Sequence, residues 1–214
     1  MTGLILAVLC WGALHSWLAS PQAKDLARRR LGERFMCFYR LAYNLFAGLS
    51  FLPVLALVIW LPDRPLYRLP LPWAGLMVAG QVLALVALTA GFLQSDPAEF
   101  LGLRQITGGC QRNDPLAARG GELIVSGLYR HVRHPLYTAG LAFLWLLPVM
   151  TVNLLALNLA LTIYIVIGAF FEERKLVAEF GEQYLRYRAA TPMFVPFLKR
   201  RPRPASSPPD TSDR

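Results

Sequence analysis

The sequence predicts an all-α fold: an integral membrane helix bundle of about five transmembrane helices, with a C-terminal helical hairpin. Three observations predict it. Of 214 residues, 55% are hydrophobic and 16% charged, and the mean hydropathy is +0.41. An average soluble domain carries about 25% charged and about 45–50% apolar residues. Apolar runs recur at the length of about 20 residues that a bilayer core demands. The basic residues fall on alternate connections between those runs. A soluble globular domain, a disordered chain and a fibrous protein are thereby excluded.

The first apolar run is Gly3 to Ala19, the second about Phe38 to Leu61, the third about Leu69 to Leu93. The fourth stretch, Leu136 to Phe171, contains no Asp, Glu, Lys or Arg over 36 residues. As one helix it would run about 54 Å at 1.5 Å per residue, against a hydrocarbon core of about 30 Å. It must fold back. Pro148, Thr151 and Asn153 mark the turn, with Asn153 as the expected helix N-cap. Two short helices and five crossings follow.

Between the third run and the hairpin, Ser95-Asp96-Pro97 with Glu99 opens a short helix, and Thr107-Gly108-Gly109 is expected to end it. Beyond the hairpin, Leu176, Phe180, Tyr184 and Tyr187 repeat at helical spacing, which predicts one helix continuing to Thr191-Pro192. Three regions result: N-terminal membrane helices over 1–93, a hairpin-bearing region over 94–198, and a basic, Pro-rich tail over 199–214, expected to be disordered.

The net charge is +9. In a soluble chain that would suggest nucleic acid. Here 20 of the 22 Lys and Arg residues fall on one set of alternate connections and 2 on the other. The positive-inside rule then places the N-terminus outside and the C-terminus in the cytosol, with the lipid bilayer rather than nucleic acid as partner. Cys10, Cys37 and Cys110 are far apart and odd in number, without pairing or zinc spacing. Cys10 and Cys37 read as small apolar helix residues. The N-terminus lacks the basic segment of a cleavable signal.

The hairpin carries the functional signal. Arg130-His131-Val132-Arg133-His134-Pro135 precedes it and Glu172-Glu173-Arg174-Lys175 follows it. Antiparallel helices pack with axes about 8–10 Å apart, so the His/Arg cluster and the carboxylate pair meet at the membrane face. Headgroup anchoring by the basic residues, with Tyr137 in an aromatic belt, is one account of the first segment. A structural salt bridge to Arg133 is one account of the second. Ionisable groups at membrane depth also point to function. His15, in GALHSWL, reads as an interhelical polar contact outside the site. No metal-ligand spacing, phosphate-binding Gly motif or nucleophile elbow occurs.

These residues carry a family resemblance. LIVSGLYRHVRHPLYTAG, the apolar hairpin and FFEERKLVAEFGEQYLRYRAATPMFVPFLK resemble the catalytic half of the isoprenylcysteine carboxyl methyltransferase family, whose bacterial branch includes membrane thiol methyltransferases and NnrU-like proteins. The resemblance runs from Leu123 to Lys199. HSWLAS at His15 and DPAEFLGLRQ at Asp96 extend it weakly. It implies an S-adenosyl-L-methionine-dependent membrane methyltransferase with a cytosolic cofactor site, in a bacterial inner membrane. The positions implied to contact the cofactor are Leu123, Tyr129, His134, Pro135, Leu136, Tyr137 and Glu172. Arg133 joins His134 as a partner for the cofactor carboxylate, and Glu173 accompanies Glu172. The isoprenylcysteine enzymes place a substrate-contacting Arg near what is Gly168 here, and no Arg occurs there. A small or lipophilic thiol, or else a carboxylate, is therefore the expected acceptor, with no catalytic base named. Two other classes remain open at this stage. One is an NADPH-dependent membrane reductase of the sterol type, which shares R-H-P-x-Y. The other is a non-catalytic NnrU-like membrane protein.

Overall fold

The computed structural model describes residues 2–95, 97–103 and 123–196. Its helices are α1 (Thr2–Ala19), α2 (Pro21–Trp60), α3 (Trp73–Gln94), α4 (Pro97–Leu101), α5 (Pro135–Trp145), α6 (Val152–Phe180) and α7 (Glu182–Ala190). A 3-10 turn covers Gly127–Arg130, and two short strands, β1 (Pro65–Arg68) and β2 (Val149–Thr151), pair antiparallel. Four helices, α1, α2, α3 and α6, are long and apolar enough to cross a membrane. Only 6–17% of their most apolar windows is buried within the protein. Leu49, Ile59, Leu83 and Ile163 are among the many large side chains left exposed. A surface this apolar requires lipid around it.

The α1–α2 corner follows from its sequence. Ser20 accepts the Ala23 N–H at 3.2 Å as the N-cap of α2, and Pro21 occupies the first helical position. At 40 residues α2 is about 60 Å long, twice a bilayer core. Gly32, at φ 80°, breaks its helical path. The break separates a basic segment bearing Lys24 and Arg28–Arg30 from the spanning part, which contains the expected Phe38–Leu61 run. Leu4 and Val8 of α1, Val54 of α2 and Leu157 of α6 form a buried cluster that binds these three helices. Cys10 is free. Cys37 is buried, as expected, but disulfide-bonded rather than unpaired.

The fourth crossing differs from the expected first short helix of the hairpin, and the fifth, α6, is long rather than short at 29 residues. α5 has only 11 residues, about 16 Å. Its helix stops before Pro148, and the chain then runs to Thr151 partly as β2. In lipid the freed backbone groups need partners. Asn158, 1% exposed, donates to Leu144 O at 2.6 Å. The Leu69 N–H donates to Pro148 O, and β2 pairs with β1. α3 packs along α5 through small residues: Gly80 faces Leu146 and Gly91 faces Leu136, close approaches of the kind small residues permit between membrane helices.

Two boundaries also differ. α4 ends at Leu101, before Gly102, and the expected stop at Thr107-Gly108-Gly109 lies outside the described residues. The helix after the hairpin does not run through: Gly181 adopts φ 52°, where a side chain is disfavoured, and divides α6 from α7.

The turn itself is capped by Thr151, not Asn153. Thr151 Oγ1 accepts the Leu154 N–H at 3.2 Å, Asp63 Oδ1 accepts the Asn153 N–H at 3.1 Å, and Arg64 O accepts the Val152 N–H. Asn153 sits in the first turn of α6 and turns its amide to the last carbonyls of α2, at 3.3 Å from Leu61 O. Burial pushes the Asp63 carboxyl up, but hydrogen bonds from Thr151, Asn153, Arg64 and Val152 outweigh it and hold the group below the ordinary carboxylate range. A depressed folded-state value contributes stability that is present above the unfolded value and is lost as pH falls through the folded one. Asp63→Ala is expected to lower the melting temperature in detergent by about 2–4 °C at neutral pH. The difference from wild type should shrink below about pH 4. A constant difference down to pH 3 would show that the carboxylate charge contributes nothing to this cap.

Candidate functional site at the basic end of the hairpin

Pro135 starts α5, and the residue before a proline avoids helical conformation. His134 accordingly sits at the helix N-cap with an extended φ of −123°. Its ring stacks on Tyr137, one turn on, at 5.4 Å between centroids and 15° between planes. The opposite wall is α6, which presents Glu172 and Glu173. These two point differently, because neighbours on a helix are separated by about 100°.

Glu173 turns inward. Its Oε1 takes the Arg133 Nε–H at 2.6 Å, with the two side chains 9% and 10% exposed. Arg133 Nη1 donates to Arg188 O at 3.0 Å and Thr191 O at 2.5 Å, at the end of α7. Glu172 turns to the mouth of the bundle. Its Oε2 accepts the Tyr137 hydroxyl at 2.9 Å and lies 3.7 Å from His134 Nδ1, and a third of its side chain is exposed. His134 is buried. Its Nε2 lies 3.4 Å from Glu173 Oε1 without hydrogen-bond geometry and makes no hydrogen bond among the described residues.

A strap from Thr191 to Phe194 closes the site from outside. Pro192 O accepts the Arg133 N–H at 2.9 Å, Met193 O accepts the His134 N–H at 3.2 Å, and Phe194 O accepts the Thr138 hydroxyl at 2.8 Å. The sequence reading missed this strap. Its signal was Pro192, which fixes an extended chain just past a helix end. Tyr184 is 1% exposed beside the ion pair. Burial and then the Glu173 charge push its hydroxyl up to about 12, so it stays neutral. Burial raises the Tyr187 hydroxyl likewise, and this group donates to Tyr129 O at 2.5 Å.

The remaining expected positions are placed as follows. Pro135 is buried at the head of α5. Leu136 packs against Gly91 of α3. Tyr129 lies half-buried in the 3-10 turn, and Leu123 half-buried just before it. Thus Arg133, His134, Tyr137, Glu172 and Glu173 form one contacting cluster, while the contacts seen for Leu136 and for the Tyr129 backbone belong to packing. Among the described residues no three His, Cys, Asp or Glu side chains gather as a metal site. The cluster can hold a cationic group against Glu172 and a flat apolar group against Tyr137.

Comparison with known proteins places the chain. It is 41% identical over 128 residues to methanethiol S-methyltransferase 2 of Bradyrhizobium diazoefficiens, covering 53% of this chain and 46% of that protein. It is 34% identical over 201 residues to a methanethiol S-methyltransferase of Pseudomonas sp. strain GM41(2012), covering 89% and 74%. It is also 31% identical over 169 residues to a nurim homolog of Drosophila melanogaster, covering 77% and 64%. In three of its matches, all to methanethiol S-methyltransferases, the chain spans only 46%, 28% and 42% of the relative's own length. No solved structure matches. The family model described as NnrU protein matches residues 3–198, a span that includes every described element from α1 to α7, and the chain belongs to the NnrU family.

Proposed function

We propose that this membrane protein is a methyltransferase that uses S-adenosyl-L-methionine to methylate a small thiol, with methanethiol as the first acceptor to try. The observation that carries the reading is the Glu172–Tyr137–His134 cluster at the mouth of the bundle. The likeness to bacterial methanethiol S-methyltransferases supports it. The cofactor, when bound, supplies an activated methyl group. The site's chemistry fits its amino-acid end. Glu172, partly exposed, suits an ammonium through a charge-assisted hydrogen bond. His134 Nε2, a buried polar atom without a hydrogen bond among the described residues, suits a carboxylate. The Tyr137 ring offers an apolar wall, and Leu123, Tyr129, Pro135 and Leu136 are the further positions proposed to line it. Arg133 and Glu173 act differently from expectation: they neutralise each other and hold the walls in place. Methyl transfer demands alignment more than acid–base help, and exclusion of water by the apolar hairpin favours reaction of an anionic nucleophile. Region 94–198 is the cofactor-binding half on this reading. The protein sits in a bacterial inner membrane with its N-terminus outside and the site on the cytosolic side.

Three measurements check this. Titration of S-adenosylmethionine into the purified protein should show Glu172→Gln weakened at least tenfold, from a lost charge-assisted contact of about 1.5–3 kcal/mol, with an unchanged melting curve. His134→Ala should be affected more strongly than Tyr137→Phe, which keeps the stacked ring. Unaltered affinity in Glu172→Gln would remove this carboxylate from the site. Arg133→Ala should instead lose folded protein, since stranding Glu173 costs about 3–5 kcal/mol. A stable Arg133→Ala protein with selectively weakened cofactor binding would return Arg133 to the cofactor. For orientation, Thr151→Cys and Gln183→Cys are placed in a cysteine-free background. An impermeant thiol reagent should label the first in intact cells and the second only after permeabilisation. The reverse pattern would put the site outside.

A further inference from the structure

Deeper in the bundle than Glu172, a second polar cluster joins α1, α2 and α6. His15 Nδ1 lies 2.6 Å from the Tyr164 hydroxyl, and His15 Nε2 lies 2.8 Å from the Tyr43 hydroxyl. Ser16 Oγ is 3.1 Å from the Tyr164 hydroxyl. Trp11 stacks on His15 at 4.9 Å and donates to Ser50 Oγ at 3.1 Å. Tyr164 precedes Glu172 by eight residues on α6, about 12 Å along the axis. Tyr137, whose hydroxyl donates to Glu172 Oε2 at 2.9 Å, belongs to the outer cluster. Two polar clusters thus lie about two helical turns apart along α6.

The inner cluster is more than a polar contact between helices, because of how its hydrogens are spent. A neutral imidazole has one donor and one acceptor nitrogen. With Nδ1–H donating to Tyr164, the Tyr164 hydrogen is free for Ser16, and Tyr43 gives its own to Nε2. Among the described residues the Tyr43 hydroxyl has hydrogen-bond contacts only to His15, and with its one hydrogen on Nε2 its oxygen retains accepting capacity. A cleft of about 250 Å³ between α1 and α2, lined by Cys10, Trp11, Leu14, Ser50, Pro53 and Leu57, lies beside Trp11. A small apolar thiol partitions into lipid and could approach this way.

Resting on the thiol methyltransferase reading, we propose that His15, relayed through Tyr43, is the proton acceptor for the thiol substrate. The S–H bond breaks and its proton moves to the Tyr43 oxygen, while the Tyr43 hydroxyl proton moves to His15 Nε2. The electron pair stays on sulfur. The products are a thiolate and an imidazolium whose Nδ1–H still donates to Tyr164. A base is needed because even a cysteine thiol is only a few per cent ionised at neutral pH, and a simple alkyl thiol is less acidic still.

The test uses the full-length protein in detergent with two probes: methanethiol, and thiophenol, which is already largely ionised. His15→Gln is expected to bind S-adenosylmethionine within twofold of wild type. It should lose at least about 100-fold in methanethiol turnover and stay within tenfold on thiophenol. Without cofactor, methanethiol added to wild type should develop the ultraviolet absorbance of a thiolate, and His15→Gln should not. Equal rates, or equal losses on both thiols with intact cofactor binding, overturn the proposal and leave His15 as a structural contact. If His15→Gln does not fold, Tyr43→Phe carries the same test, with the same split expected and equal effects overturning it. A wild-type protein that neither binds S-adenosylmethionine nor methylates either thiol overturns the methyltransferase reading itself, and this inference with it. Active wild type with unaffected variants overturns only the inference.

Discussion

A single buried guanidinium, Arg133, holds the basic end of the molecule together. It joins Glu173 of α6, the last carbonyls of α7 and, through its own N–H, the Thr191–Phe194 strap. A buried ion pair is not in itself stabilising, because desolvating both charges costs nearly what their attraction returns. Its effect here is register. With Glu173 fixed on Arg133, the residue before it is turned about 100° around the helix, which brings Glu172 to Tyr137 and His134. Adjacent carboxylates thus take separate tasks, one locked and one facing the mouth.

The same economy governs the other end. A chain leaving α5 as irregular backbone inside a membrane would expose unsatisfied carbonyls. The solution is two buried asparagines. Asn158 supplies Leu144 O, and Asn153 supplies the end of α2. Asp63, Arg64 and Thr151 supply the first N–H groups of α6 in return. Polar residues in the hairpin therefore serve its backbone, and the long spanning helices are fixed at the non-basic end independently of the site.

Much of this was legible in the sequence because bilayer physics is strict. A charge-free run of 36 residues can only fold back, and folding back forces the Arg133/His134 and Glu172/Glu173 segments together. What was not legible depends on local geometry. Pro148 marked the turn, but nothing in residues 146–151 announced that half of the crossing would be extended and paired with 65–68. Thr151 and Asn153 are both good caps by type, and the choice between them rests on Asp63, some 90 residues away. Leu176, Phe180, Tyr184 and Tyr187 keep helical spacing across Gly181, so periodicity hid a break that the glycine itself signalled. Arg133 and Glu173 could be placed near each other, but not ranked against Glu172, since the ranking depends on which carboxylate faces inward.

His15 shows the limit most clearly. On α1 alone it is a lone histidine beside a serine, and burial in a polar contact is the ordinary reading. Only the packing of α2 and α6 reveals that Tyr43 and Tyr164 take its two nitrogens. Intramembrane polar groups are costly, and side-chain hydrogen bonds between membrane helices contribute only about 0.6 kcal/mol on average. Stability alone is thus a weak reason to keep a histidine, two tyrosines and a serine together in lipid. On the proposed function, a water-soluble methyl donor and a lipid-soluble thiol need a site reached from both phases. Glu172 and Tyr164, the partner of His15, lie about 12 Å apart along α6, and a cleft opens beside Trp11 between α1 and α2, an arrangement that suits such a site.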